Sequence, residues 1–317
     1  MKRSCLAVLY LACFLSVSTF GCGKTGLPDP SGESRASAVV TIGYLPITHA
    51  LTVFQEKELL DATADGISIK LQKFNSWSDL TDALNAGNID GASVLIELAM
   101  SAKSKGIDLK AVALGHRDGN VVVVSKNINS VEDLKGKTIA IPSTQSSHNI
   151  LIQDALARGN LTLDDVKIVQ ISPTETPFSL ASGAIDCFCV AEPFGAQAVS
   201  QGFGKVLFHS DELWQNSLCC CLVLNQSFID SFGPDNISKL VQKYHEAGSS
   251  LDSEAAAEVA KKYLGQSHEI LETSLRYIQF DNLSISKEDY DALAERVKKY
   301  DINRNPPSYE EFVYQAE

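Results

Sequence analysis

The stretch Leu84–Leu95, read as L-N-A-G-N-I-D-G-A-S-V-L, returns in altered letters at Leu180–Phe194, L-A-S-G-A-I-D-C-F-C-V-A-E-P-F. Gly87 and Gly183 stand 96 positions apart, and Thr41-Ile42-Gly43-Tyr44-Leu45-Pro46 resembles Thr138-Ile139-Ala140-Ile141-Pro142 at an offset of 97. In each copy a helix ends at a glycine, which takes the left-handed conformation without a Cβ penalty. A short apolar strand follows. In the second copy, Glu192-Pro193 opens the next helix with proline in its first turn, where a missing N–H does no harm. Two motifs recurring in one order at one offset mean that a single α/β unit is used twice. The chain is therefore expected to build two α/β lobes.

The N-terminus reads differently. Met1-Lys2-Arg3 followed by apolar residues to about Phe20 is a charged n-region and an h-region, so residues 1–21 are expected to be a signal peptide. Gly21-Cys22 resembles a bacterial lipoprotein processing site, with Cys22 as the acylated residue, although Thr19 and Phe20 depart from the usual residues. An ordinary cleaved signal with an incidental cysteine is the alternative. Residues 22–38, rich in Gly, Pro and Ser, read as a flexible tether. The expected location is outside the cytoplasmic membrane, periplasmic or lipid-anchored. The full chain carries a net charge of −12, and losing Lys2 and Arg3 makes it −14. An acidic body argues against nucleic acid and against lying on anionic lipid, but a local donor set at a helix N-terminus still accommodates an anion.

Strand and helix patterns alternate through the body, which predicts a parallel sheet in each lobe. The first lobe runs through strands at Val39–Gly43, Ile67–Phe74, Ile89–Ser93 and Leu109–Leu114 and helices at Leu51–Leu60, Trp77–Ala86 and Leu95–Ser104. The V-V-V-V run at 121–124 reads as the crossing into the second lobe, and Cys219–Leu224 as the return. The lobes are drawn as 39–122 plus 220–317, and 123–219. Residues 225–317 read as mostly helical and acidic.

In an open α/β sheet ligands bind beyond the carboxyl ends of the strands. That places Thr48, His49, Trp77, Ser93, Asn120, Ser143, Gln145, Ser146, His148 and Glu192 as ligand-binding candidates. The Ser143-Thr144-Gln145-Ser146-Ser147 run before a helix offers hydroxyls and free backbone N–H groups to a small anion, or merely an N-cap. Trp77 is a stacking wall for a planar ligand or a capping residue of the core. His49, His116 and His148 occupy three separate loops, and a metal would need them in one place with a carboxylate such as Glu192. No C-x-x-C spacing supports zinc, so no metal is expected. Cys187, Cys189, Cys219, Cys220 and Cys221 read as small buried residues, with a disulfide near the inter-lobe segment as the alternative.

Gly43–Ala50, Leu134–Ala140 and Gly183–Phe194, together with the Met1–Cys22 leader, resemble the periplasmic solute-binding components of ABC importers. The group is that of nitrate, sulfonate, taurine and bicarbonate binders, related to binders of thiamine-type pyrimidines. The resemblance spans residues 39 to about 224 and is thin over the tail. It implies the type II periplasmic binding protein fold, with two parallel or mixed sheets flanked by helices and a double-crossing hinge. It also implies capture of a small solute, permease and ATPase subunits as partners, a monomer, no cofactor and no catalysis. Any membrane contact would be through the lipid anchor. Phe188–Phe194, Ser76-Trp77, Ser147-His148-Asn149 and Glu212-Leu213-Trp214 are most similar to the nitrate and bicarbonate binders, which puts Trp77, Asn120 and His148 on the ligand. Those binders carry lysine where this chain has Gln215 and glutamine where it has Asn120. A sulfonate or a neutral heterocycle, as in thiamine-precursor binders, is therefore comparable to a bare inorganic anion.

Enzymes of the same superfamily form the competing class. Leu218-Cys219-Cys220-Cys221-Leu222 resembles the cysteine run of a pyrimidine-precursor synthase, and a menaquinone-pathway dehydratase shares the fold. The synthase's lysine after the first G-x-I-D strand is absent from Gly91–Ile96, and its cysteine run continues where this chain has Leu222.

Overall fold

A computed structural model describes residues 38–63 and 66–315. The expected signal peptide, Cys22 and all of the tether except Ala38 lie outside the described residues. The strands are β1 (Ala38–Tyr44), β2 (Ile67–Lys73), β3 (Gly91–Leu95), β4 (Leu109–Leu114), β5 (Arg117–Asp118), β6 (Asn120–Ser125), β7 (Thr138–Ile141), β8 (Lys167–Gln170), β9 (Cys187–Ala191), β10 (Gly204–His209), β11 (Cys220–Asn225) and β12 (Ile278–Gln279). Between them run α1 (Leu51–Ala62), α2 (Trp77–Asn85), α3 (Ile96–Ser104), α4 (Ser147–Arg158), α5 (Thr176–Ala181), α6 (Phe194–Ser200) and α7 (Ser210–Leu213). After β11 come α8 (Gln226–Phe232), α9 (Pro234–Ser250), α10 (Ser253–Leu264), α11 (His268–Ser274), α12 (Lys287–Lys299) and α13 (Tyr309–Phe312).

Two five-stranded sheets result, in the orders β2-β1-β3-β11-β4 and β10-β6-β9-β7-β8. Read from the other edge, the second is β8-β7-β9-β6-β10, so each strand has a counterpart at the same place. The duplication reaches individual hydrogen bonds. The Asp90 carboxylate accepts from Thr41 N–H at 2.7 Å, and Asp186 accepts from Thr138 N–H at 3.0 Å. Each aspartate's own N–H returns to the same threonine carbonyl at 2.9 Å. The I-D pair of the repeat thus clips the third strand to the first in both sheets. Gly87 and Gly183, with φ of +69° and +73°, close the preceding helices in the left-handed conformation.

The sheets are mixed rather than parallel throughout. β11 runs antiparallel to β3 and β4, and β6 antiparallel to β9 and β10, because both strands enter their sheets from a chain crossing and not from a helical crossover. The crossing also falls earlier than the valine run suggested. Asn120–Ser125 is a whole strand of the second sheet, so the chain leaves the first sheet between Leu114 and Asn120, ahead of the expected 122/123 division. The valines are buried on both faces: Val122 and Val124 pack with Cys187, Cys189, Leu151 and Leu156, whereas Val121 and Val123 face the other side with Phe188 and Val190. All five cysteines from 187 to 221 are buried free thiols. Ser76 is the N-cap of α2, accepting from Asp79 N–H at 3.1 Å. Pro193 precedes α6 rather than joining its first turn, and Glu192 supplies the cap by accepting the Ala196 N–H at 2.9 Å. No described helix is long and apolar enough to cross a membrane.

Candidate functional site

Carboxyl ends of the strands from both sheets meet over a layer of buried polar groups. After β1 the chain turns through Thr48 and His49, both fully buried. Thr48 donates its N–H and its hydroxyl to the Glu192 carbonyl at 2.9 and 3.0 Å, which joins the first sheet's loop to the second sheet's. The His49 Nε2–H donates to Gly119 O at 3.0 Å, and its ring lies against His116, tilted by 33° with centroids 3.6 Å apart. Asn120 opens β6 with its N–H 3.3 Å from Ser210 Oγ, and its Oδ1 accepts from the Cys219 thiol at 3.9 Å. Ser93 is buried within β3 opposite Leu222.

From the second sheet comes the N-terminus of α4. Ser146 has the extended backbone of an N-cap, yet its hydroxyl donates to Ser143 O at 2.6 Å instead of accepting from the helix. The hydroxyl run therefore does not serve as a plain cap. Ser147 Oγ, both ring nitrogens of His148, Asn120 Nδ2 and Trp77 Nε1 are buried without a hydrogen-bond partner among the described residues. Buried polar groups are ordinarily satisfied, so the orphans on His148, Asn120 and Ser147, gathered around Cys219 and Glu97, call for an occupant.

Burial dominates the electrostatics. It lowers the His148 imidazole to about 4, offset in part by Cys219, so the ring is neutral near pH 7. It lowers His116 to about 4 as well, with His49 adding to the effect. It raises Glu192 to about 7, against the pull of the Ala196 N–H, His49 and the Gly195 N–H. Glu97, in the first turn of α3, is pushed well above the usual carboxylate range by burial and then by Cys219. Neither of its oxygens has a partner at hydrogen-bond distance. For Cys219, burial would raise the thiol, but hydrogen bonds with Cys220 and His116 pull it the other way. The site holds no buried lysine or arginine among these groups, and Gln215 is exposed. Trp214 packs away from it, under the Arg296 guanidinium at 4.4 Å.

The ten sequence candidates divide. Thr48, His49, Asn120, Ser146, His148 and Glu192 join the buried polar layer with Ser93 nearby. Trp77 and Ser143 line a cleft of about 420 Å3 together with Leu98, Gln170 and Ser172. Trp77 is only 5 % exposed, so it is both core and wall. Gln145 belongs elsewhere: it lines an outer cleft of about 710 Å3 with Lys103, Ser104 and Arg304. Sequence reasoning passed over Glu97, and it took Cys219 and Cys220 as packing residues. The one available signal for Glu97 was a lone acid in the apolar run Leu95–Met100. His116 and Cys220 lie far apart in the chain, and only the pairing of β11 with β4 brings them together.

The sequence profile of the NMT1-like family matches residues 33–265. Among curated proteins, a nitrate import ATP-binding protein, NrtC, of Synechocystis is 24% identical over 286 residues, which is 83% of this chain and 42% of that protein. A putative aliphatic sulfonates-binding protein of Escherichia coli is 28% identical over 211 residues, covering 65% of this chain and 63% of that one. This chain thus spans less than two thirds of either relative. Among solved structures, the ligand binding component of an ABC-type import system from Staphylococcus aureus, with zinc bound, superposes with a TM-score of 0.84 at 35% identity, over 88% of this chain and 99% of that one. The desulfurization enzyme DSZB shares the fold, with a TM-score of 0.63 at 16% identity over 87% and 96% of the two chains. With a profile match over most of its length and the same architecture in a solved relative, the chain belongs to the NMT1-like family.

Proposed function

We propose that this protein is the solute-binding component of an ABC import system, which captures a small anion between its two sheets and delivers it to a membrane permease and its ATPase. The observation that carries this reading is the set of unpartnered buried polar atoms at the facing strand ends. Asn120 Nδ2, Trp77 Nε1, the Ser147 hydroxyl and one N–H of the neutral His148 are donors in want of an acceptor. The N-terminus of α4, uncapped by any side chain, adds N–H groups and the positive end of a helix dipole. A nitrate, bicarbonate or sulfonate group presents acceptor oxygens that such donors satisfy. The relatives' solutes, nitrate and aliphatic sulfonates, lie in the same chemical class.

Binding without turnover is part of the same reading, supported by the solute-binding relatives. The two sheets act as lobes, 39–122 with 220–317 and 123–219, refined at the first crossing to 115–119. Residues 1–21 direct export, and acylation of Cys22 tethers a monomer to the outer side of the membrane. Calorimetry with nitrate, bicarbonate, a short aliphatic sulfonate and a free pyrimidine tests the reading. Binding of one anion with no change in its mass on incubation supports it. Binding of the pyrimidine alone, or conversion of a bound solute, overturns it.

A further inference from the structure

His49, His116, Cys219 and Cys220 come from the ends of three strands of one sheet, β1, β4 and β11. All four are fully buried, and one donor atom from each lies within 4.8 Å of the other three. Two imidazoles and two thiols are the donor set of a tetrahedral zinc site.

The orientations favour an ion over mere packing. A carbonyl can only accept, so the 3.0 Å contact to Gly119 O fixes the proton of His49 on Nε2 and turns the Nδ1 lone pair inward, 3.6 Å from Cys220 Sγ. Metal-bound histidines are held in this way by a backbone carbonyl on the far nitrogen. His116 has Nδ1 buried without a partner, its Nε2 accepts the Cys220 N–H over a long 3.3 Å, and the ring already lies against the Cys219 thiol. One nitrogen of that ring is therefore available for the loss of at most one weak bond. The edges of a zinc tetrahedron built from sulfur at ~2.3 Å and nitrogen at ~2.0 Å measure about 3.3–3.8 Å. The present spread exceeds them by about 1 Å, within reach of small side-chain rotations.

We propose that these four residues bind one zinc ion beneath the cleft. On binding, each thiol loses its proton to solvent as its S–Zn bond forms, so two protons leave for one Zn2+, and the site of two thiolates and two neutral imidazoles has no net charge. Neutrality is what a fully buried ion requires, since an uncompensated buried charge is strongly disfavoured. The ion would staple β1, β4 and β11 at the ends that carry the solute site. The inference stands apart from the import reading, because its ligands belong to one sheet and its readout needs no solute.

Cobalt is the probe, because tetrahedral thiolate coordination colours it. Full-length protein, reduced and stripped with a chelator, is titrated with Co2+ and then with Zn2+. One Co2+ per chain is expected, with near-ultraviolet thiolate-to-cobalt charge transfer and visible tetrahedral bands that vanish as Zn2+ displaces it. Cys219→Ser and His116→Ala are each expected to weaken Co2+ binding by ~100-fold or more, at least the loss seen when an outer-sphere partner is removed. Cys189→Ser, in the other sheet, leaves the spectrum unchanged. Should either ligand variant unfold, the wild-type titration still decides. Wild-type protein with no charge-transfer band, or a band that survives in folded Cys219→Ser, overturns the assignment.

Discussion

His148 and Glu192 both follow strands of the second sheet, and they have opposite needs. His148 is neutral, buried and unpartnered, which suits a residue whose partner is the solute. Losing a buried hydrogen-bonding group costs ~1–3 kcal/mol, so His148→Ala is expected to weaken anion binding by about 5- to 150-fold in calorimetry while the melting temperature stays close to wild type. Equal affinities would remove His148 from the site. Glu192 makes a prediction about stability instead. Its carboxyl is raised from 4.5 to about 7 in the fold, chiefly by burial. Below pH 4 it is protonated folded or unfolded and contributes nothing. Between the two values the unfolded chain gives up the proton that the folded chain keeps, so stability falls as pH rises, and above pH 7 the full penalty persists. The shift corresponds to about 3 kcal/mol. Denaturant unfolding at pH 4 and pH 8 should therefore show Glu192→Gln losing less stability across that range than wild type, by about this amount. A parallel pH response in both proteins would show that Glu192 is not the group responsible. Both residues were visible in the sequence as strand-end positions. Their protonation was not, because it depends on what the fold stacks around them.

At the scale of elements, the duplication was the most legible property of the chain, since glycine and aspartate have local jobs that leave a fixed imprint. A left-handed turn demands Gly87 and Gly183, and the clip to the first strand demands Asp90 and Asp186. A Cβ at either glycine would meet nothing within 4 Å, so Gly→Ala there tests backbone strain alone. Each substitution is expected to destabilise by ~1–2 kcal/mol, lowering the melting temperature by about 2–8 °C. A drop confined to one of the two would mean that the copies no longer share the turn. Strand direction was less legible. The patterns of β6 and β11 are those of any doubly buried strand, and nothing in a run such as Val121–Val124 encodes that it enters its sheet from the opposite end. The His–Cys cluster was invisible for the same reason. Cys219 and Cys220 show no ligand spacing, and their histidines reach them only through the β11–β4 pairing and the turn after β1.

Apolar packing shared by the two sheets and polar contacts across the cleft both hold the molecule together. Besides Thr48 on Glu192, Ser172 Oγ donates to Asn75 O at 3.2 Å, and Arg296 of α12 meets Asp154 of α4 at 2.9 Å, with the Tyr300 hydroxyl on the same carboxylate. The two crossings, by contrast, are tied to each other: Asp118 accepts from the Ser217 N–H at 2.8 Å and the Asn216 N–H at 3.2 Å, and its own N–H donates to Ser217 O at 3.0 Å. The two segments run antiparallel, bridged at Arg117 and Leu218, and in the proposed two-lobe reading they are the hinge. On the proposed reading the contacts across the cleft belong to a closed state, toward which a solute would shift the population in proportion to the bonds it makes only there. The Asp154–Arg296 pair is half-buried and worth ~0.2–1 kcal/mol, so Asp154→Ala should weaken anion affinity by about 1.4- to 5-fold without touching the solute. It should also enlarge the radius of gyration of the solute-free protein in solution scattering, with saturating anion restoring the wild-type value. Scattering curves that stay the same for both proteins with and without anion would leave no closure for the pair to stabilise, and the two-lobe division would fail with it.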